Sequence, residues 1–184
     1  MSDRFDRLYQ KSARLRSQSD ARVGLLLGKE FEISDSLRLQ IMTPALRGFP
    51  HVIGQFQNLY ELGYRFLRVQ ANAHAVKSRQ AGHEVDVNAI NGNDFDALSR
   101  KPWADILHKN RLKKFLECSG LTEALIYPDT HRVHGETMQT KHGIEALYLL
   151  VGAVYKDLGS AKAEKFVVDR VLGGKNGLVL AGIV

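Results

Sequence analysis

The sequence predicts a mainly α-helical protein, and three observations carry this prediction. Apolar residues recur three and four positions apart through most of the 184-residue chain. The stretch "ALYLLVGAVY" is apolar on nearly every side, which is typical of a central buried helix. Strong β character is confined to "LVLAGIV" at residues 178–184. The length suits a single domain with a substantial core.

The N-terminal segment is predicted to form a short basic helix over residues 3–18, with Phe5, Leu8 and Leu15 on its apolar side. We interpret residues 1–32 as a basic extension. Within it, "GLLLGKE" is similar to a phosphate-binding loop, but only three residues separate its glycines. Glu30 also stands where Ser or Thr should hold magnesium, so this interpretation is rejected.

The later helices follow from capping residues and apolar spacing. Ser34 and Asp35 predict a helix start, and Pro44 predicts its end. Gly120 predicts the end of another helix, through its ability to adopt a left-handed conformation. The predicted elements after Pro44 are a helix at 55–79, a loop at 80–94, a helix at about 104–118, a loop at 127–137, helices at about 137–158 and 160–172, and a strand or docked tail at 178–184.

Composition narrows the class of partner. The net charge is +6 and the pI is near 9.5, which favours a polyanion such as nucleic acid. A single cysteine, Cys118, excludes an internal disulfide and a zinc–cysteine site. No apolar run approaches the length of about 18 residues that a membrane-spanning helix needs, so no membrane partner is expected.

A metal site is not expected either. His131 and His134, with Asp129 nearby, could suggest one, but two histidines in a predicted loop without a third close ligand are more often solvated. We therefore expect neither a metal nor another cofactor.

Three stretches together carry a resemblance to a known family. These are "LRLQIMTPAL" at 37–46, "FQNLYELGYRFL" at 56–67 and "EALYLLVGAVYKDLGSAKAEKFV" at 145–167. In order and spacing they resemble the ribonuclease III domain, whose patterns include L-x-x-Q-A-L-T-H-x-S and D-x-x-E-A-L-I-G-A-I-Y-L-D. Gln40 and Thr43 match the first pattern, whereas Pro44 replaces its histidine. The residues of the second stretch that agree with the family are Leu59, Leu62, Gly63 and Leu67.

The resemblance implies a ribonuclease III-type helical endonuclease-domain fold over residues 33–172, followed by a tail at 173–184. Members of that family cleave RNA with divalent metals held by four carboxylates. Here Tyr60, Tyr64 and Tyr148 stand at three of those positions, and only Glu145 is acidic. A phenol with a pKa near 10 is neutral at pH 7 and does not replace a carboxylate. The resemblance therefore implies that the chain is not an enzyme.

Three interpretations of the tyrosine face stay open. The tyrosines could pack a helix–helix contact, or they could stack on RNA bases. Alternatively, the alignment could be shifted, with carboxylates supplied from elsewhere in the chain. The first interpretation agrees with an inactive site and is favoured.

The resemblance also bears on assembly. Active members dimerise through the helix that contains residues 56–67, by a phenylalanine that here corresponds to Glu61. Together with Gly63, where backbones can approach closely, Glu61 is the predicted dimer contact. A carboxylate is costly to bury unless it is paired, so a heterodimer with another ribonuclease III-like protein is favoured over a homodimer. A solvated Glu61 on a monomer remains the alternative.

Basic residues cluster in two places and are the predicted RNA contacts, since such side chains bind phosphates irrespective of sequence. One group lies in the N-terminal helix and the other crowds residues 100–114. The predicted RNA-binding residues are Arg4, Arg7, Lys11, Arg14, Arg100, Lys101, Lys109, Arg111, Lys113 and Lys114.

These observations lead to a functional expectation. The chain is expected to be a non-catalytic RNA-binding protein, most similar in situation to the short ribonuclease III-like protein of the fungal mitochondrial ribosomal large subunit. Its partners would be rRNA or another structured RNA and a second ribonuclease III-like chain, in the mitochondrion. The alternatives are an inactive subunit that pairs with an active ribonuclease III in RNA processing or editing, and an enzyme with unrecognised ligands.

Overall fold

A computed structural model describes residues 2–78, 93, 95–127 and 135–180, without the side chains of residues 2–12, 78 and 97. This part of the chain is mainly helical, which confirms the predicted all-α class. The α-helices are α1 (Ser2–Leu27), α2 (Asp35–Met42), α3 (Pro44–Arg47), α4 (Ile53–Ser78), α5 (Pro102–Ile106), α6 (Lys109–Ser119), α7 (Glu136–Leu158) and α8 (Ser160–Phe166). Short 3₁₀ turns lie at Lys29–Phe31 and Phe95–Arg100.

Helix α1 is longer than the predicted helix at 3–18. It continues to Leu27 because Val23, Leu26 and Leu27 keep a helical spacing and are buried in the core. Gly28, with a φ of 65°, then lets the chain leave the helix. The end of the predicted extension therefore packs into the same core as the residues that follow it.

The boundaries around α2 agree with the prediction from its capping residues. The Ser34 hydroxyl accepts a hydrogen bond of 3.4 Å from the backbone N–H of Leu37. Helix α2 ends at Met42, and Pro44 occupies the first turn of α3. These short helices place Arg47 at the end of α3, beside the long helices.

The predicted helix at 104–118 is wrong in one respect, because it is two helices. His108 has an extended backbone, and its Nδ1 accepts a hydrogen bond of 3.3 Å from the N–H of Asn110, so it caps α6. Gly120 ends α6 in a left-handed conformation, as predicted. The break turns α5 back over α4, where Asn72 accepts a hydrogen bond of 3.3 Å from the N–H of Trp103.

Helix α7 is the central helix, as its composition predicted. Its residues from Ala146 to Val154 are all buried. Among the described elements, α4 makes the most extensive contact with α7. The two helices cross at a pair of glycines: a Cβ at Gly63 would overlap the Tyr148 carbonyl, and a Cβ at Gly152 would overlap the Leu59 carbonyl. The close approach requires both glycines.

After α8 the chain continues as a π-helical turn, Val167–Leu172, and then doubles back. The N–H groups of Leu178 and Val179 donate to the carbonyls of Val171 and Leu172 at 2.8 and 3.2 Å. Up to residue 180 the segment is thus a docked tail, and residues 181–184 lie outside the described part. None of the described helices has the length and apolarity needed to cross a membrane.

Candidate functional site

Three tyrosines meet where α4 and α7 cross. Tyr60 and Tyr64 lie one turn apart on α4, with ring centroids 6.3 Å apart and planes inclined by 20°. Tyr148 on α7 meets both rings edge-on, at centroid distances of 5.4 and 5.3 Å. Edge-to-face and offset contacts of this kind stabilise aromatic pairs. The tyrosine cluster, as we call these three residues, is therefore part of the helix packing.

The hydroxyls of this cluster are weaker acids than free tyrosine. Burial raises the pKa of Tyr148 far above its usual value of 10, and the neighbouring Tyr60 and Tyr64 act in the same direction. Desolvation also raises the pKa of Tyr60, with a further contribution from the Glu145 carboxylate. Both phenols are thus neutral at physiological pH, and they do not supply the anionic oxygens that magnesium binds.

Glu145, the acidic residue among the four positions matched to the family's carboxylates, is bound by a cation. Nη1 of Arg47 lies 3.2 Å from Oε2 of Glu145, and Arg47 is only 9% exposed. The same guanidinium donates through Nε to the Ile41 carbonyl at 2.9 Å and through Nη1 to the His142 carbonyl at 3.5 Å. Arg47 thus ties α2 and α3 to α7 and offsets the charge of Glu145.

The electrostatics of this pair favour its ionised form. Burial lowers the pKa of Arg47 to about 10, and the Glu145 carboxylate opposes that shift. Arg47 therefore remains charged at neutral pH. The sequence did not predict this residue, because a single arginine at the end of a four-residue helix carries no motif.

The aromatic face continues along α4 beyond Tyr64. The guanidinium carbon of Arg68 lies 3.8 Å from the centroid of the Trp103 ring and 5.4 Å from that of Tyr64. Such cation–π contacts are typically worth about 0.5–2 kcal/mol. Arg68 and Trp103 were not predicted either, since they are distant in sequence and only the turn of α5 over α4 brings them together.

The two residues predicted to contact a partner lie in different environments. Glu61 is exposed, and its Oε2 accepts from Nε of Arg65, one turn along α4, at 3.1 Å. Gly63 is buried against α7 of its own chain. Of the pair, only Glu61 is therefore exposed, and the heterodimer stays a prediction.

The structure divides the basic cluster at 100–114. Arg100, Lys101 and Lys109 are exposed. Lys113 instead forms an ion pair with Glu136, and Arg111 is half-buried and donates to the Val179 carbonyl at 3.4 Å. The last two thus join helices or hold the tail.

The remaining predicted RNA contacts are less fully described. Lys114 is half-buried and Arg14 is exposed. The backbone of α1 includes Arg4, Arg7 and Lys11, but their side chains are outside the described part. Their predicted contact with RNA stays a prediction.

Two grooves flank Tyr60. The first, of about 640 Å³, is lined by Ile53, Phe56 and Leu149 together with Arg47, Glu61 and Glu145. The second, of about 530 Å³, lies toward the start of α7 and receives side chains from α4, α6 and α7. Its lining residues are Tyr60, Lys109, Gly135, Thr137, Met138, Lys141, Ile144 and Glu145. We call the second the cationic groove, because its two lysines and one carboxylate leave it positive.

The described residues form no group of metal ligands. Within residues 2–78, 93, 95–127 and 135–180, no three His, Cys, Asp or Glu side chains are placed to hold a metal ion. The candidates Asp129, His131 and His134 lie outside these ranges.

Comparison with known proteins adds no relative. No protein-family model matches the chain, and no curated protein matches it significantly. The function is therefore inferred from the tyrosine cluster and the surface beside it.

Proposed function

We propose that this protein is a non-catalytic RNA-binding structural protein built on a ribonuclease III-like domain. The observation that carries the proposal is the state of the four matched positions. Tyr60, Tyr64 and Tyr148 pack against one another at the helix crossing, and Glu145 is paired with Arg47. A two-metal phosphodiesterase needs several free carboxylates in this place, and these four side chains offer none.

The setting that best accounts for such a domain is the mitochondrial ribosomal large subunit, with rRNA as the ligand and a second ribonuclease III-like chain as the partner. Three features support this setting: the sequence resemblance, the net charge of +6 and the exposed cations near the tyrosine cluster. Glu61, exposed on α4, would meet the partner and exchange Arg65 for a partner cation.

RNA binding is tested by charge reversal of the exposed cations Arg100, Lys101 and Lys109. We expect the triple Glu variant to bind structured RNA more weakly, with a salt dependence that is smaller by about one for each phosphate that it no longer binds. The matched control reverses Lys29, Lys156 and Lys175, which are exposed elsewhere. Filter binding over a salt series measures both quantities. Equal losses in the two triple variants would mean that net charge alone governs binding.

The second candidate is an inactive subunit that licenses an active ribonuclease III in RNA processing or editing, and the same exposed Glu61 favours it. Copurification separates the two candidates, since the first predicts ribosomal large subunits and the second a nuclease-active complex. Metal-dependent cleavage of double-stranded RNA by the purified protein, abolished in Glu145→Gln, would contradict both.

A further inference from the structure

The cationic groove holds two lysines that are free to meet a ligand. Lys109 and Lys141 are exposed, and neither forms an ion pair with another residue in the described part of the chain. Neighbouring cations differ: Lys113 is paired with Glu136, and Arg47 with Glu145. The groove thus presents two positive charges from different helices, α6 and α7, across one opening.

Between these charges the wall of the groove is apolar and aromatic. Met138 is 45% exposed there, and Ile144 and Tyr60 are half-buried. The phenol of Tyr60 is neutral because burial and the Glu145 carboxylate raise its pKa. A neutral ring edge, a thioether and a branched aliphatic chain suit the flat face of an aromatic ligand.

The one carboxylate in the lining does not prevent anion binding. Glu145 reaches the groove with Arg47 3.2 Å away on its other side. This pair is close to neutral as a unit, so the field in the groove comes mainly from the two lysines. At about 530 Å³ the space also falls in the range of about 300–1,000 Å³ found for small-ligand sites.

We propose that the cationic groove binds one unpaired nucleotide of an RNA chain, with its base against Met138, Ile144 and Tyr60 and its phosphates near Lys109 and Lys141. This inference rests on the proposed RNA-binding function and specifies its ligand. A continuous duplex offers phosphates and sugars but keeps its base faces stacked inside. An apolar wall between two cations therefore matches a base that has left the helix, as in a bulge or loop.

The test compares two RNA hairpins of equal length, one fully paired and one with a single-nucleotide bulge. We expect the protein to bind the bulged hairpin about tenfold more tightly, since stacking of one base on a protein surface typically gives between about fivefold and a hundredfold. Met138→Glu should remove this preference. Leu25→Glu, an equal change at a residue that is 78% exposed on α1, should leave it unchanged.

A second pair of variants tests the phosphate contact. Lys141→Gln should weaken binding of the bulged hairpin several-fold, whereas Lys156→Gln, the same change at an exposed lysine farther along α7, should not. Both positions are solvent-exposed, so neither substitution is expected to disturb the fold.

The outcomes separate the nucleotide site from the function on which it rests. Equal affinity for the two hairpins, or a preference that survives Met138→Glu, would overturn the nucleotide site while leaving RNA binding in place. Failure to bind either hairpin would overturn both. Loss of a copurifying protein from Met138→Glu, with RNA binding unchanged, would mean that the groove is a protein contact and would also overturn the inference.

Discussion

The crossing of α4 and α7 and the cationic groove share Tyr60 but differ in almost every physical property. At the crossing, glycines allow backbone contact, and Tyr148 is only 5% exposed. In the groove, toward the start of α7, Lys141 and Met138 are left to solvent. The crossing stabilises the fold, and the groove is available for a ligand.

Under the proposed function, this difference shows how a catalytic face that has lost its metal ligands can be divided between two uses. A carboxylate cluster has to be both buried enough to order a metal and open enough to admit a phosphate. Replacing carboxylates by phenols removes that requirement, so one side can close by packing while the other stays open. Substitutions should accordingly affect stability at the crossing and binding at the groove.

The largest effect is expected from Tyr148→Ala. This change removes a buried ring that contacts both Tyr60 and Tyr64, and truncation of a large core aromatic typically costs about 3–5 kcal/mol. Urea unfolding measures the change in the free energy of unfolding. Tyr148→Phe keeps the ring and should cost less than about 1.5 kcal/mol. If the two variants are equally stable, the cluster does not act by packing.

A smaller loss of stability is expected from Gly63→Ala. The added methyl group would overlap the Tyr148 carbonyl, and overpacking of this kind typically costs about 1–3 kcal/mol. Gly54→Ala is the matched control on the same helix, since nothing lies within 4 Å of a Cβ there. It should be neutral or stabilise by up to about 1 kcal/mol. A Gly63→Ala protein as stable as the Gly54→Ala protein would mean that the helices can move apart at no cost.

Local signals predicted most of the helices, because caps and apolar spacing act within a few residues. Ser34, Pro44 and Gly120 each mark a boundary by their own backbone or hydrogen-bonding preference. The break at His108 was not predicted, since the same residue type is tolerated inside a helix and only its imidazole acting as a cap ends one. The extension of α1 was not predicted because Val23 and Leu27 become useful only once a core exists to bury them.

The candidate site was predictable only in part for a related reason. Aligned motifs brought Tyr60, Tyr64, Glu145 and Tyr148 to one face, and the structure places the three tyrosines in contact. Motifs do not specify Arg47, which lies 98 residues from its partner Glu145. They also did not distinguish Lys109, which is free for a ligand, from Lys113, which is paired with Glu136. Both distinctions depend on tertiary distance.

The smallest expected effect concerns acid stability and tests whether the crossing is electrically neutral. The phenols of Tyr60 and Tyr148 do not titrate below pH 7, so acid sensitivity should arise at surface ion pairs instead. The clearest pair is at Glu30, whose carboxylate is 2.7 Å from Nζ of Lys165 and 3.1 Å from Nζ of Lys162. These hydrogen bonds lower the pKa of Glu30 below 4.5.

The sign of the effect follows from linkage. Because the folded pKa of Glu30 is lower than the unfolded one, its contribution to stability is present above pH 4.5 and is lost as the pH falls through the folded value. Glu30→Gln should therefore flatten the acid limb of a plot of urea midpoint against pH. Glu164→Gln, an exposed carboxylate on α8 without an ion pair to any described residue, should leave the limb unchanged. A wild-type acid limb that persists in full in Glu30→Gln would place the titrating group elsewhere, and Glu136, whose pKa is lowered by Lys113, would be the next to replace.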